Sequence, residues 1–121
     1  MKKSEEEILC RIRDLQRAII QFETDFEKCY GICLNEGMTL CSLKKKGRLS
    51  ASELGDLLGL SHSNMSKVIK SVEKKGYVER VVGEIDKRQM YFSLTGSGDR
   101  LIGSVNCDMS QLPEILRTIV S

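Results

Sequence analysis

Residues 49–95 read LSASELGDLLGLSHSNMSKVIKSVEKKGYVERVVGEIDKRQMYFSLT, and the period of the apolar positions changes within that span. From Ala51 to Gly59 the chain reads as a short helix. Ser50 and Glu53 make an S-x-x-E capping box at its start, and Leu54, Leu57 and Leu58 form its expected buried face. Gly59 closes the helix. Ser61 then caps a second helix running to about Lys75, whose apolar residues Met65, Val68, Ile69 and Val72 follow the i, i+3, i+4, i+7 rule. Gly76 is placed as the glycine after the C-cap. Beyond it the period becomes two: Val78, Arg80 and Val82 alternate with Glu79 and Val81, and Met90, Phe92 and Leu94 alternate with Tyr91 and Ser93. The polar stretch Gly83 to Lys87 between them completes a β-hairpin. Two short helices joined by a tight turn and followed at once by a hairpin are the sequence form of a helix-turn-helix with a wing.

On the N-terminal side, Ile8, Ile12, Leu15, Ile19, Phe22, Phe26, Cys29 and Cys33 recur in alternating steps of four and three. That heptad seam predicts one long helix from Ser4, its N-cap, to about Tyr30, with Glu5, Glu6 and Glu7 favouring the positive helix end and Gly31 stopping it. A stripe of this length needs burial, and a partner chain is the expected cover for much of it. A second helix is predicted from an Asn35 N-cap to the Lys44-Lys45-Lys46 cluster, ended by Gly47. On the C-terminal side, Thr95 caps a helix to about Cys107. A last short helix starts at Ser110 or Leu112, with Pro113 in its first turn and a stripe of Ile115, Leu116, Ile119 and Val120. The predicted class is mainly α with a small β-hairpin wing (α+β). It comprises an N-terminal dimerisation helix (1–34), a winged helix-turn-helix (35–95) and C-terminal dimerisation helices (96–121) in one compact chain.

Composition narrows the function classes. The chain has 121 residues, 40% hydrophobic and 30% charged, which suits one folded domain. No stretch reaches the roughly 18 to 20 apolar residues of a membrane span. The opening MKKSEEEILC carries glutamates where a signal peptide is apolar, so a cytoplasmic location is expected. The five cysteines Cys10, Cys29, Cys33, Cys41 and Cys107 contain no CxxC pair and read as reduced thiols. Net charge is only +2, yet residues 44–90 hold eleven basic against six acidic side chains, and the flanks are net acidic. A basic middle on acidic flanks suggests a polyanion-binding module, although a solvated charged face gives the same count.

The leucine-rich helix before the turn, the serines opening the next helix, EKKGYVER (73–80) leading into the first wing strand, DKR (86–88) at the wing and LTGSG (94–98) opening the following helix together resemble the MarR (multiple antibiotic resistance regulator) family. The resemblance covers most of the chain. It implies a homodimeric transcriptional regulator, a repressor in sense, that binds double-stranded DNA and is not an enzyme. It also implies wing roles for Asp86 and Arg88, with Lys87 between them as a phosphate contact. The stretch from about Gly96 to Val120 is brief for this family, so its ligand pocket is not carried over and any small-molecule effector is left unnamed.

The residues support that implication independently. A recognition helix must bury one face and present small polar and basic side chains to a groove about 12 Å wide. With Met65, Val68, Ile69 and Val72 buried, Ser61 caps the helix while His62, Ser63, Asn64, Ser66, Lys67, Lys70 and Ser71 face outward, and no acid precedes Glu73. Asn64 suits adenine, the serines suit bases or phosphates, and Lys67 and Lys70 suit guanine or phosphate. The single histidine, His62, reads as a solvent or phosphate contact. Cys29 and Cys33 lie one turn apart on the heptad stripe and read as packing rather than metal ligands. Neither cofactor nor metal site is expected. Two other readings stand beside DNA binding: a winged-helix module for protein interaction alone, and a redox-sensing regulator using Cys10 with Arg11 and Arg13 nearby. No nucleophile, base and acid constellation supports an enzyme.

Overall fold

A computed structural model describes residues 5–107 and 112–120. It divides into two compact units. One contains helix α1 (Glu5–Tyr30) and helix α6 (Glu114–Val120); the other comprises Leu34–Cys107.

In the first unit α1 and α6 pack together. Phe26 is buried, with its ring 5.8 Å from Phe22 and 5.0 Å from Tyr30. Between Ile8 and Ile20, α1 leaves Ile8, Leu9, Ile12, Ile19 and Ile20 exposed, and Cys29 is exposed as well. The expected Ser4 cap and Ser110 start lie outside the described residues. Helix α6 begins at Glu114 rather than at Leu112, because Pro113 supplies only its carbonyl, which accepts from Leu116 (2.9 Å) and Arg117 (3.2 Å).

In the second unit the order is α2 (Leu34–Lys46), β1 (Arg48–Leu49), α3 (Ala51–Leu58), α4 (His62–Lys74), β2 (Val78–Val82), β3 (Met90–Leu94) and α5 (Gly96–Cys107). Leu40, Leu43, Leu54, Met65, Ile69, Val72, Val78, Phe92 and Ile102 are buried and form its core. The hairpin pairs Val78 with Leu94 through to Val82 with Met90. A third strand, β1, pairs Arg48 with Ser93 and Leu49 with Phe92, giving the antiparallel order β1-β3-β2. Two residues are too short to show alternation, so this strand leaves no periodic signal in the sequence.

Three expectations are corrected. Asn35 lies inside α2 rather than capping it; the helix starts at Leu34, and the Asn35 carbonyl accepts from the Thr39 hydroxyl at 2.8 Å. Leu57 is 54% exposed, so the inward face of α3 is Leu54 and Gly55. Instead Leu57 lines an open groove of about 320 Å³ with Met38, Cys41, Ser42, Lys45 and Leu58. Val68 is only half-buried, because the α4 interface centres on Met65, Ile69 and Val72.

Candidate nucleic-acid interface

Helix α4 is fixed at both ends by its own sequence. The Ser50–Glu53 capping box before it is complete: Glu53 N donates to Ser50 Oγ (3.1 Å) and Ser50 N to Glu53 Oε1 (2.9 Å). Ser61 Oγ then accepts from Asn64 N at 3.1 Å, satisfying one of the first-turn donors of α4. At the far end Tyr77 N donates to Val72 O and Gly76 N to Glu73 O, both at 3.0 Å, with Gly76 at φ 83°. This is the two-bond termination that a left-handed glycine permits. The turn is then clamped onto α5: Thr95 Oγ1 donates to Gly76 O (2.7 Å) and accepts from Gly98 N (3.1 Å). A Cβ on Gly98 would stand 2.1 Å from Tyr77 O, so no larger residue fits.

The burial of Met65, Ile69 and Val72 turns the opposite face of α4 to solvent. His62, Ser63, Asn64, Lys67 and Lys70 are exposed there, and Ser66 is half-buried. Ser61 is exposed as well, with its hydroxyl engaged in the cap. Ser71 departs from the expected outward set. Its Oγ donates at 2.7 Å to Oε2 of Glu36, a buried carboxylate on α2.

The hairpin tip is held mainly by polar contacts. Gly83 N donates to Gln89 O (2.9 Å), Gln89 N to Asp86 O (3.0 Å), and Tyr91 OH to Gln89 Oε1 (2.6 Å). Asp86 Oδ1 accepts from the Arg88 backbone N at 3.0 Å and from Nε at 3.2 Å, and Nη2 reaches Oδ2 at 3.4 Å. Arg88 is oriented by this pair while its side chain stays 93% exposed. The hydrogen bonds from the Arg88 side chain and then its backbone hold the Asp86 carboxyl below its ordinary value. Lys87 is exposed. At the base of the wing, Arg80 Nε donates to Glu73 Oε2 (2.6 Å) and Nη2 to Oε1 (3.3 Å), joining β2 to the end of α4. Arg80 also lies over the Phe92 ring at 5.8 Å. Neither this pair nor Glu36 was singled out by sequence. Their partners are seven and more than thirty residues away, and a charge in a strand or a first helical turn has an ordinary solvated reading.

Cys10 is half-buried on α1. The Arg13 guanidinium beside it is held above its ordinary value first by Asp14, which it meets at 3.1 and 3.3 Å, and to a lesser degree by Cys10. Among the described residues no cluster of three His, Cys, Asp or Glu could hold a metal ion. No helix among them is long and apolar enough to cross a membrane.

The MarR family model matches residues 32–90. The HTH-type transcriptional regulator SarZ of Staphylococcus epidermidis is 33% identical over 95 residues, covering 78% of this chain and 64% of SarZ. An uncharacterised HTH-type transcriptional regulator of Bacillus subtilis, YwaE, is 30% identical over 90 residues, or 74% of this chain and 53% of that protein. The chain therefore spans about half to two thirds of these relatives. Among solved structures, a MarR variant from E. coli complexed with operator DNA superposes with a TM-score of 0.74 at 18% identity, covering 98% of this chain and 85% of that one. At that identity the likeness speaks for the fold, a winged helix.

Proposed function

Residues 32–90 make this chain a member of the MarR family, and we propose from that premise that it is a sequence-specific DNA-binding transcriptional regulator of the cytoplasm, not an enzyme. It acts as a homodimer and represses by occupying its operator. The observation that carries this reading is the outward face of α4: histidine, serine, asparagine and two lysines stand exposed above a buried apolar face, with no acid before Glu73. In the major groove Asn64 and Ser63 read base edges, while Lys67 and Lys70 hold bases or phosphates. Ser61, His62 and Ser66 complete the phosphate and base contacts of the helix start.

Arg88 enters the adjacent minor groove, where narrow A·T-rich sequence concentrates negative potential. Asp86 fixes one guanidinium rotamer before DNA arrives and so lowers the ordering cost. Lys87 meets phosphate. The exposed apolar residues Ile8, Leu9, Ile12, Ile19 and Ile20 support a second copy as the cover of α1, since contiguous apolar patches of that kind mark interfaces.

Selection of bound sites from random duplex DNA is the test. A two-fold symmetric consensus is expected, and failure to enrich any sequence contradicts the reading. Repeating the selection with peroxide examines Cys10: loss of binding that a Cys10→Ser variant resists would add a redox role, and unchanged binding removes it. Sedimentation at micromolar concentration is expected to give a dimer, and a single 13.6 kDa species contradicts the assembly.

A further inference from the structure

We infer that Glu36 is a positioning residue for the recognition helix: a buried carboxylate on α2 that sets the orientation of α4 through Ser71 and Lys75 and thereby tunes discrimination between operator and other DNA. The inference rests on the DNA-binding reading above.

Glu36 is 4% exposed, which is costly for a carboxylate without compensation. Compensation comes from three directions. Ser71 Oγ donates to Oε2 at 2.7 Å, and Lys75 Nζ lies 3.0 Å from both carboxylate oxygens. The carboxylate also sits in the first turn of α2, where the helix dipole favours negative charge. Ser71 and Lys75 are four residues apart and occupy the last turn and C-cap of α4. One carboxylate therefore grips α4 at two adjacent points at its C-terminal end, beyond His62, Asn64 and Lys67 along the helix axis. The apolar contacts of Met65, Ile69 and Val72 hold the helix against the core but carry no hydrogen-bond direction of their own. Directional, charge-assisted bonds at 2.7 and 3.0 Å supply that direction. Base readout depends on bidentate geometry and is sensitive to the orientation of the helix; contacts to phosphate are far less so.

The test uses the full chain and two duplexes, one enriched by selection and one scrambled, at several salt concentrations. Glu36→Ala is expected to weaken binding to the enriched duplex about tenfold, which is about 1.4 kcal/mol, with scrambled-duplex affinity and salt slope unchanged. Glu36→Gln, which keeps acceptor capacity for Ser71, is expected to fall between Glu36→Ala and wild type. Ser71→Ala is expected to lower discrimination in the wild-type background and to have no further effect in Glu36→Ala. A Ser71 effect that persists in Glu36→Ala would assign the hydroxyl to DNA and overturn the inference. Equal losses on both duplexes, or unchanged discrimination with a lowered unfolding midpoint, would also overturn it by leaving Glu36 a structural role alone. If Glu36→Ala does not fold, Glu36→Gln and Ser71→Ala decide by the same ratio. Wild type that fails to separate the two duplexes is a different outcome, one that removes the DNA-reading function itself.

Discussion

Helix α4 and the hairpin tip present side chains of similar chemistry on very different supports. Helix α4 is capped by Ser61, terminated through Gly76 and seated on Met65, Ile69 and Val72, so the residues proposed to contact DNA stand on a packed base. At the tip, Ile85 is fully exposed and Arg88 is oriented by one carboxylate and a few backbone bonds. The difference matches what each groove would demand of the proposed contacts. Base edges in the major groove are read by bidentate geometry, which needs a fixed platform; the minor groove is read largely through its width and potential, for which one oriented, exposed cation is enough.

Removing the platform should have the largest effect. Met65→Ala deletes a fully buried side chain under α4 and is expected to cost about 2 to 5 kcal/mol, read as a lowered thermal midpoint. An unchanged midpoint would mean that α4 does not depend on that seat. Arg88→Ala should leave the midpoint alone, because the side chain is exposed, yet weaken operator binding about tenfold and most at A·T-flanked sites. Binding unchanged near physiological salt would show that the wing does not touch DNA. If Lys67 and Lys70 hold phosphates, Lys67→Ala and Lys70→Ala should each weaken all sequences alike and reduce the salt slope by about one; a loss confined to the operator would assign them to bases instead.

Asp86→Ala should give the smallest loss on the operator, below that of Arg88→Ala, since it removes orientation and leaves the charge. The Asp86 carboxyl is held below its ordinary value of 3.8 by Arg88. The pairing is therefore fully present above that pH and is lost only as pH falls through the lower, folded value. A carboxyl titration followed by NMR should give a midpoint below 3.8 in wild type that returns toward it in Arg88→Ala; identical midpoints would show that the pair does not form in solution.

What was legible in the sequence follows from how local its causes are. The S-x-x-E box at Ser50, the Ser61 cap, the Gly76 stop and the hairpin strands rest on neighbours a few residues apart, and each stands where the pattern puts it. The Asp86–Arg88 pairing is equally local. Strand β1 was hidden because it exists only through pairing with β3. Ser71 was misread because the face it shares with Lys67 and Lys70 on a helical wheel ends where Glu36 arrives from another helix. Leu57 was placed inside because amphipathicity assigns a face without showing that no element covers it.

The most direct test of the central claim, that the exposed face of α4 reads sequence, is a titration of wild type and Asn64→Ala against the selected duplex and a scrambled one at near-physiological salt. Wild type is expected to prefer the selected duplex by about a thousandfold or more. Asn64→Ala should lose about 1 to 3 kcal/mol on that duplex and little on the scrambled one. Equal losses on both duplexes, or no loss on either, would contradict the account.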